Sequence, residues 1–228
     1  MSKRRLRVYI VAEYKKPYIE LFTSKEAGDK FVGTMNIIDA DIVLFGGGPD
    51  INPELYGETK IQQTNISPIR DVRDLEAWKS SSHALRLGIC RGAQFLNVMN
   101  GGKLFQHVTD HQGGHMIYDL QTGQNLWASS THHQMMIPTK DAVCIAHARV
   151  SRLKRTDHSE WHRPTVVDAK SDDPNLMDWE ILSYEDTSPF CFQPHPEHAG
   201  VTDVFRKYFF QKLGTAYAVH EFNKEKAA

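Results

Sequence analysis

Cys90 stands at the centre of Gly88-Ile89-Cys90-Arg91-Gly92, between an apolar run that reads as a strand and a run that reads as a helix. Small residues two places before and after a nucleophile are the pattern of a nucleophile elbow, here with Cys in place of Ser. A sharp strand-to-helix turn holds the nucleophile in strained backbone, so its side chain stands clear of the sheet. Gly88 and Gly92 leave room where strand and helix approach. The helix aims its N-terminus at the sulfur, which favours the thiolate over a thiol of ordinary pKa about 8.5, and it places the Arg91 N–H where an oxyanion would develop. The pentapeptide alone fits a buried structural cysteine in a Gly-rich turn equally well, because free Cys is among the most buried residue types.

A second run, Phe190-Cys191-Phe192-Gln193-Pro194-His195-Pro196-Glu197, is an apolar strand ending in His-Pro-Glu. If the backbone stays extended there, residues two apart face one side and Glu197 lies beside His195. The flanking prolines stiffen φ and disfavour helix. A base with a carboxylate to orient it is what a nucleophile needs, so the elbow and His-Pro-Glu together make a coherent Cys-His-Glu triad. His198 lies beyond Glu197 and is the weaker candidate for the base. Cys144 and Cys191 fall in apolar strand-like runs and read as core.

Two other constellations are weighed and set aside. Gly46-Gly47-Gly48 could cradle a phosphate, but no Lys-Ser/Thr follows and the dinucleotide spacing is missing. His107, His111 and His115 recur every four residues, which on a helix would align metal ligands. Thr109-Asp110 and Gly113-Gly114 interrupt such a helix, so neither a metal nor a cofactor is expected.

The elements that must position these residues alternate in the first half. Leu6 to Ala12 reads as a buried parallel strand, Pro17 to Phe31 as a helix and Ile37 to Phe45 as a strand running into the Gly46–Gly48 loop. Glu58 to Ser67 reads as an exposed loop, Asp71 to Ser82 as a short helix and Leu85 to Ile89 as a buried strand. Gly92 to Met99 is then a helix ending at Gly101-Gly102. In the second half, Ala142 to Ala148, Trp179 to Tyr184 and Pro189 to Gln193 read as strands. Arg152 to Pro174 reads as a polar loop excursion, and Thr202 to Leu213 as an amphipathic closing helix before a Lys/Glu-rich end that frays. Strand–helix alternation gives an α/β fold of three layers, a mostly parallel central sheet with helices on both faces, in one domain over residues 1–228.

The 228 residues are 40% hydrophobic and 24% charged with a net charge of −1, enough for a sizeable core. Interleaved charges of both signs point to no nucleic-acid partner and no anionic membrane surface. The run Val8 to Ala12 after Lys3-Arg4-Arg5 stops at Glu13, too short for a signal-peptide core, and no spanning segment is expected. Three widely separated cysteines make no disulfide framework, and a reducing cytoplasm is the natural reading.

Gly-Ile-Cys-Arg-Gly, the Gly46-Gly47-Gly48 loop and the late His-Pro-Glu resemble the class I glutamine amidotransferase superfamily, and within it the γ-glutamyl-γ-aminobutyrate hydrolase (γ-glutamyl hydrolase-like) branch. The branch is suggested by Gly46 through Pro53 leading to Leu55-Tyr56-Gly57, by Arg91, by Asn97 through Gly102 with Leu104 to Gln106, and by Ser130 to Gln134. The similarity runs from Asp41 to Glu197 with the motifs in the family's order. It implies a flavodoxin-like fold in which Cys90 attacks the carbonyl of a γ-glutamyl amide to give a thioester, releasing an amine and then glutamate. His195 manages the proton and Glu197 orients it. It further implies an oxyanion hole from Gly47, Gly48 and Arg91, and a γ-glutamyl pocket lined by Gln94, His132, His133 and Gln134. The substrate implied is a small γ-glutamyl amide or glutamine; the alternative is a glutaminase subunit supplying ammonia to a separate synthetase. The segment from Arg70-Asp71 to the elbow is short for this branch, and Arg152–Pro174 matches no pattern of the family.

Overall fold

Ile42 and Leu44 pack into one apolar core and Val43 and Phe45 into another, and all four are fully buried. A strand covered on both faces belongs to the middle of a layered sheet. The computed structural model describes residues 4–108, 111–148, 155–156, 177–184 and 189–227. In chain order the elements are β1 (Leu6–Val11), α1 (Lys16–Phe22), β2 (Phe31–Gly33), β3 (Ile42–Phe45), α2 (Pro68–Lys79), β4 (Leu85–Ile89) and α3 (Arg91–Met99). There follow β5 (Lys103–Phe105), β6 (His107–Val108), β7 (His115–Asp119), β8 (Asn125–Ala128), β9 (Met135–Ile137) and β10 (Val143–Ala148). The chain closes with β11 (Arg155–Thr156), β12 (Trp179–Ser183), β13 (Pro189–Phe192) and α4 (Asp203–Ala227).

The main sheet runs β2-β1-β3-β4-β13-β12-β10-β7-β8, with β9 pairing β12 and β5. Its first five strands are mutually parallel. Tyr18, Leu21 and Phe22 of α1 and Phe205, Phe209 and Leu213 of α4 cover one face, while Phe95 and Leu96 of α3 and Leu75 and Trp78 of α2 cover the other. The three-layer α/β architecture expected from the sequence is therefore present. From β13 onward the sheet is antiparallel, an extension that the sequence reading covers only through β10, β12 and β13.

Several boundaries differ from expectation. α1 ends at Phe22 instead of continuing to Phe31: the Thr23 hydroxyl turns back onto the Ile19 carbonyl, Gly28 takes a positive φ of 60°, and the chain re-enters the sheet as β2. β3 starts at Ile42, because the Asn36 side chain accepts from the Ile38 N–H and caps a 3-10 turn over Ile37–Asp39. α2 begins three residues early with Pro68, whose fixed φ suits a first helical turn. α4 does not fray after Leu213 but continues to Ala227, its last turn carrying Lys224 and Lys226 where cations suit the helix dipole. Only Arg155–Thr156 of the Arg152–Pro174 segment lies within the described residues.

Parallel register decides where the chemistry converges. Phe45 pairs with Gly88, and Gly88 and Ile89 pair with Cys191 and Phe192. The Gly46–Gly48 loop, Cys90 and the approach to His195 thus leave three adjacent parallel strands at one carboxyl edge, where sites form in such sheets.

Candidate active site

Cys90 has φ 52° and ψ −113°, the only non-glycine positive φ among the described residues. Such backbone costs about 1–3 kcal/mol and persists only where its surroundings fix it. Here the Cys90 N–H donates to the Phe192 carbonyl (3.0 Å), and the Cys90 carbonyl accepts the Gln94 N–H (3.1 Å) as the first turn of α3. A Cβ on Gly92 would lie 1.9 Å from the Phe45 carbonyl oxygen, and one on Gly88 would lie 2.4 Å from Gly92 backbone. Both glycines are required sterically, as an elbow demands.

His195 Nδ1 meets Glu197 Oε1 at 2.7 Å. The pairing arises in a turn, with the His198 N–H reaching back to the His195 carbonyl (3.4 Å), and not in the extended backbone expected from the sequence. His195 Nε2 faces Thr131 Oγ1 at 2.9 Å, and the His195 backbone is clamped at both ends by the Ser129 hydroxyl. Burial alone would lower the His195 pKa. The charge of a Cys90 thiolate, and hydrogen bonds to Cys90 and Glu197, outweigh burial and hold it well above the ordinary value. His198 stacks on His195 with centroids 4.2 Å apart, and burial together with the His195 charge lowers its pKa. His198 thus lies beside His195, and among the described residues no hydrogen bond joins it to Glu197 like that of His195.

Behind the Gly46–Gly48 loop lies a fully buried ion network that no motif announces. Arg70 donates to the carbonyls of Gly47 (2.8 Å), Gly46 (2.7 Å) and Val11 (3.3 Å), and pairs through Nε with Asp74 (2.9 Å). Asp74 and Asp71 also bind the Arg91 guanidinium, which commits that side chain to joining α2 and α3 behind the loop. The Gly47 N–H donates to the Tyr18 hydroxyl at 2.7 Å, which corrects the expectation that it is a free oxyanion donor. Burial pushes the Tyr18 phenol up, so it stays protonated. The Gly48 and Arg91 N–H groups remain as candidates. At Gly48 φ is 155° and a Cβ would lie 2.7 Å from Arg70 Nη1, so the loop admits no side chain there.

A cavity of about 220 Å³ opens over Cys90 and His195, walled by Gly48, Asp50, Gln94, Thr131, His133 and Gln134. Gln94 reaches it, although its amide nitrogen donates back to the Gln134 carbonyl (3.1 Å) and Gln193 Oε1 (3.2 Å). His133 Nε2 pairs with Asp50 Oδ1 at 3.0 Å, a hydrogen bond that raises the His133 pKa. His107 lies against the other ring nitrogen of His133 (3.3 Å), and burial and the His133 charge lower its pKa. His132 touches the cavity but directs its nitrogens elsewhere, Nδ1 to the Gln134 carbonyl (3.0 Å) and Nε2 towards Glu180 (3.6 Å). The sequence reading missed Tyr18, Arg70, Asp74, Ser129 and Thr131 as parts of this site. Asp50 was visible only as a member of the Gly46 to Pro53 run.

Among the described residues no helix is long and apolar enough to cross a membrane. The family model described as Peptidase C26 matches residues 20–172. A glutamine amidotransferase-like protein, YvdE of Lactococcus lactis subsp. lactis, is 30% identical over 150 residues, 54% of this chain and 62% of its own length. The carbamoyl phosphate synthase small chain of Ralstonia nicotianae is 30% identical over 135 residues, 58% of this chain and 29% of its own length. The chain thus spans less than two thirds of either relative. The crystal structure of a glutamine amidotransferase from Thermotoga maritima superposes with a TM-score of 0.55 at 12% identity, covering 98% of this chain and 92% of that one, a likeness of fold. Because the family model covers well over half of its length, the chain belongs to the Peptidase C26 family, within the class I glutamine amidotransferase-like superfamily.

Proposed function

We propose that this chain, folded as one domain over residues 1–228, hydrolyses a γ-glutamyl amide through a thioester on Cys90. The observation that carries the reading is the line from Glu197 through His195 to the strained elbow at Cys90, with the Glu197–His195 contact at 2.7 Å. In the proposed reaction the Cys90 sulfur attacks the γ-carbonyl carbon, and the carbonyl electrons move to an oxyanion received by the Gly48 and Arg91 N–H groups. As the C–N bond breaks, His195 hands its proton to the departing amine. Water then adds to the thioester carbon while His195 takes its proton. Collapse frees glutamate and returns the sulfur, with no cofactor or metal in the cycle. Asp50 and His133, paired at the cavity wall, offer opposite charges to the α-ammonium and α-carboxylate of a γ-glutamyl group. Free thiols throughout suit a reducing cytoplasm.

Within the family, the Gly46 to Pro53 loop and Arg91 support the γ-glutamyl-γ-aminobutyrate hydrolase branch. A second reading, a glutaminase subunit passing ammonia to a separate synthetase, is favoured by the likeness to a carbamoyl phosphate synthase small chain. One experiment separates the two. The purified chain is assayed for glutamate release from γ-glutamyl-γ-aminobutyrate, γ-glutamyl-putrescine and glutamine in parallel. The hydrolase reading expects the isolated chain to cleave a γ-glutamyl amine in preference to glutamine. Cleavage of glutamine alone, and only after a synthetase is added, would replace it with the subunit reading.

A further inference from the structure

Beneath the cavity, on the far side of His132, three imidazoles surround one carboxylate. Glu180 on β12 is fully buried and faces His111, His115 and His132. His111 and His132 are each 3% exposed. His111 Nδ1, His132 Nε2 and Glu180 Oε2 are buried and find no hydrogen-bond partner among the described residues. Buried polar atoms are nearly always satisfied, and three such orphans on three neighbouring side chains call for an occupant.

The distances say what kind. His115 Nε2 lies 2.8 Å from Glu180 Oε1, an ordinary hydrogen bond. His111 Nδ1 and His132 Nε2 lie 3.4 and 3.6 Å from the same oxygen, long for a hydrogen bond. Ligand atoms at about 2.0–2.1 Å around a tetrahedral zinc stand roughly 3.4 Å apart. One donor atom from each of His111, His132 and Glu180 falls within 4.8 Å of the other two, which an ion between them would draw in. The outer contacts also suit ligands. A carbonyl only accepts, so the contact of His132 Nδ1 with the Gln134 carbonyl puts the proton there and leaves Nε2 with a lone pair. His111 turns its other nitrogen towards Asp178 Oδ2 at 3.6 Å, and His115 orients the Glu180 carboxylate. Carboxylates and carbonyls behind histidines are the usual support of a bound metal.

We propose that His111, His132 and Glu180 form a binding site for a divalent transition metal, zinc by its donor set, that ties β12 to the segment carrying Ser129 and Thr131. Three protein ligands leave the fourth position for water. A helix would have aligned His107, His111 and His115. In the fold, Gly113 and Gly114, with φ of 101° and 96°, instead turn His115 back beside His111, while His107 goes to His133. Through Ser129 and Thr131, which hold His195, the metal would stiffen the active site without touching the reacting atoms.

The test uses the full chain, stripped with a chelator and titrated with Co²⁺ and then with competing Zn²⁺. Roughly one equivalent of Co²⁺ should bind with the visible absorption of a four-coordinate N/O site and without thiolate charge transfer, and Zn²⁺ should displace it and raise Tm. Glu180→Gln and His111→Asn should each weaken binding at least about a hundredfold, with folding checked by circular dichroism, while His195→Ala and His198→Ala keep it. The wild-type spectrum decides the matter even if a variant fails to fold. No stoichiometric binding, a thiolate band that places the metal on a cysteine, or binding lost in His195→Ala but kept in Glu180→Gln would each overturn the proposal.

Discussion

Thr131 Oγ1 lies 2.9 Å from Nε2 of His195, the ring nitrogen left over once Nδ1 is committed to Glu197. The hydroxyl can accept from an imidazolium there and so helps fix the ring plane between Cys90 and Glu197. Thr131→Val keeps the shape and removes that acceptor. A hydrogen bond of about 1 kcal/mol corresponds to roughly fivefold, so kcat/KM should fall by about that factor. The alkaline limb of the pH profile should move to lower pH, because the charged form of His195 loses a partner. An unchanged profile with unchanged kcat/KM would show that Thr131 only packs.

Thiol reactivity should single out Cys90. Burial pushes the Cys144 thiol up to about 12 and the Cys191 thiol higher still, so neither forms thiolate at neutral pH. A short pulse of iodoacetamide at pH 7, followed by peptide mass mapping, should label Cys90 first. His195→Ala should slow that labelling markedly and Glu197→Gln to a smaller degree. Equal labelling of all three cysteines would contradict an activated nucleophile.

Arg70 should act at a distance. Its guanidinium holds the carbonyls of Gly46 and Gly47 while paired with Asp74, so it sets the loop without reaching the cavity. Arg70→Lys keeps a charge for Asp74 but loses the fork that spans two carbonyls. Turnover should fall about tenfold with KM changed little, the mark of a weakened oxyanion site. A rise in KM at constant kcat would point instead to a role in binding.

What the sequence made legible follows from how local each feature is. The elbow is written in five consecutive residues, and Gly88 and Gly92 have the steric reason that their spacing implies. The three strands that lead to the site, β3, β4 and β13, are largely apolar runs that read as buried. Tyr18, Arg70 and Thr131 were illegible as site residues because their partners Gly47 and His195 lie 23 to 64 residues away; even Thr131, inside the Ser130 to Gln134 run, gives no local sign that it meets His195. β7 and β8 were missed because a short edge hairpin with exposed Met116 and Trp127 lacks a continuous apolar run. Glu180 sat unnoticed inside β12, whose place in the interior of the sheet is settled only by long-range pairing with β10 and β13.

Asp119 should govern acid stability. Its carboxylate binds Lys212 Nζ, the Tyr208 hydroxyl (2.6 Å) and the N–H groups of Gln121 and Thr122, pinning α4 to the end of β7. Burial alone would raise its pKa, but these partners hold it below the usual value. A depressed carboxylate stabilises the fold above its unfolded pKa of about 3.9 and loses that contribution as pH falls through the folded value. Asp119→Asn should cost about 3–5 kcal/mol at pH 7 by leaving the buried Lys212 ammonium without a counter-charge, its remaining acceptor being the neutral Gln121 Oε1, and should flatten the loss of stability below about pH 4. Urea melts at pH 7 and pH 3 check both, and parallel acid dependence in wild type and variant would contradict the assignment.

Whether Cys90 carries a thioester is decided by glutamate release from γ-glutamyl-γ-aminobutyrate by the isolated wild-type chain and by Cys90→Ala, with folding followed by circular dichroism. Wild type should release glutamate and amine in equal amounts, and the folded Cys90→Ala chain should be slower by about a thousandfold or more. A folded Cys90→Ala chain that turns over at the wild-type rate would contradict a thioester on Cys90.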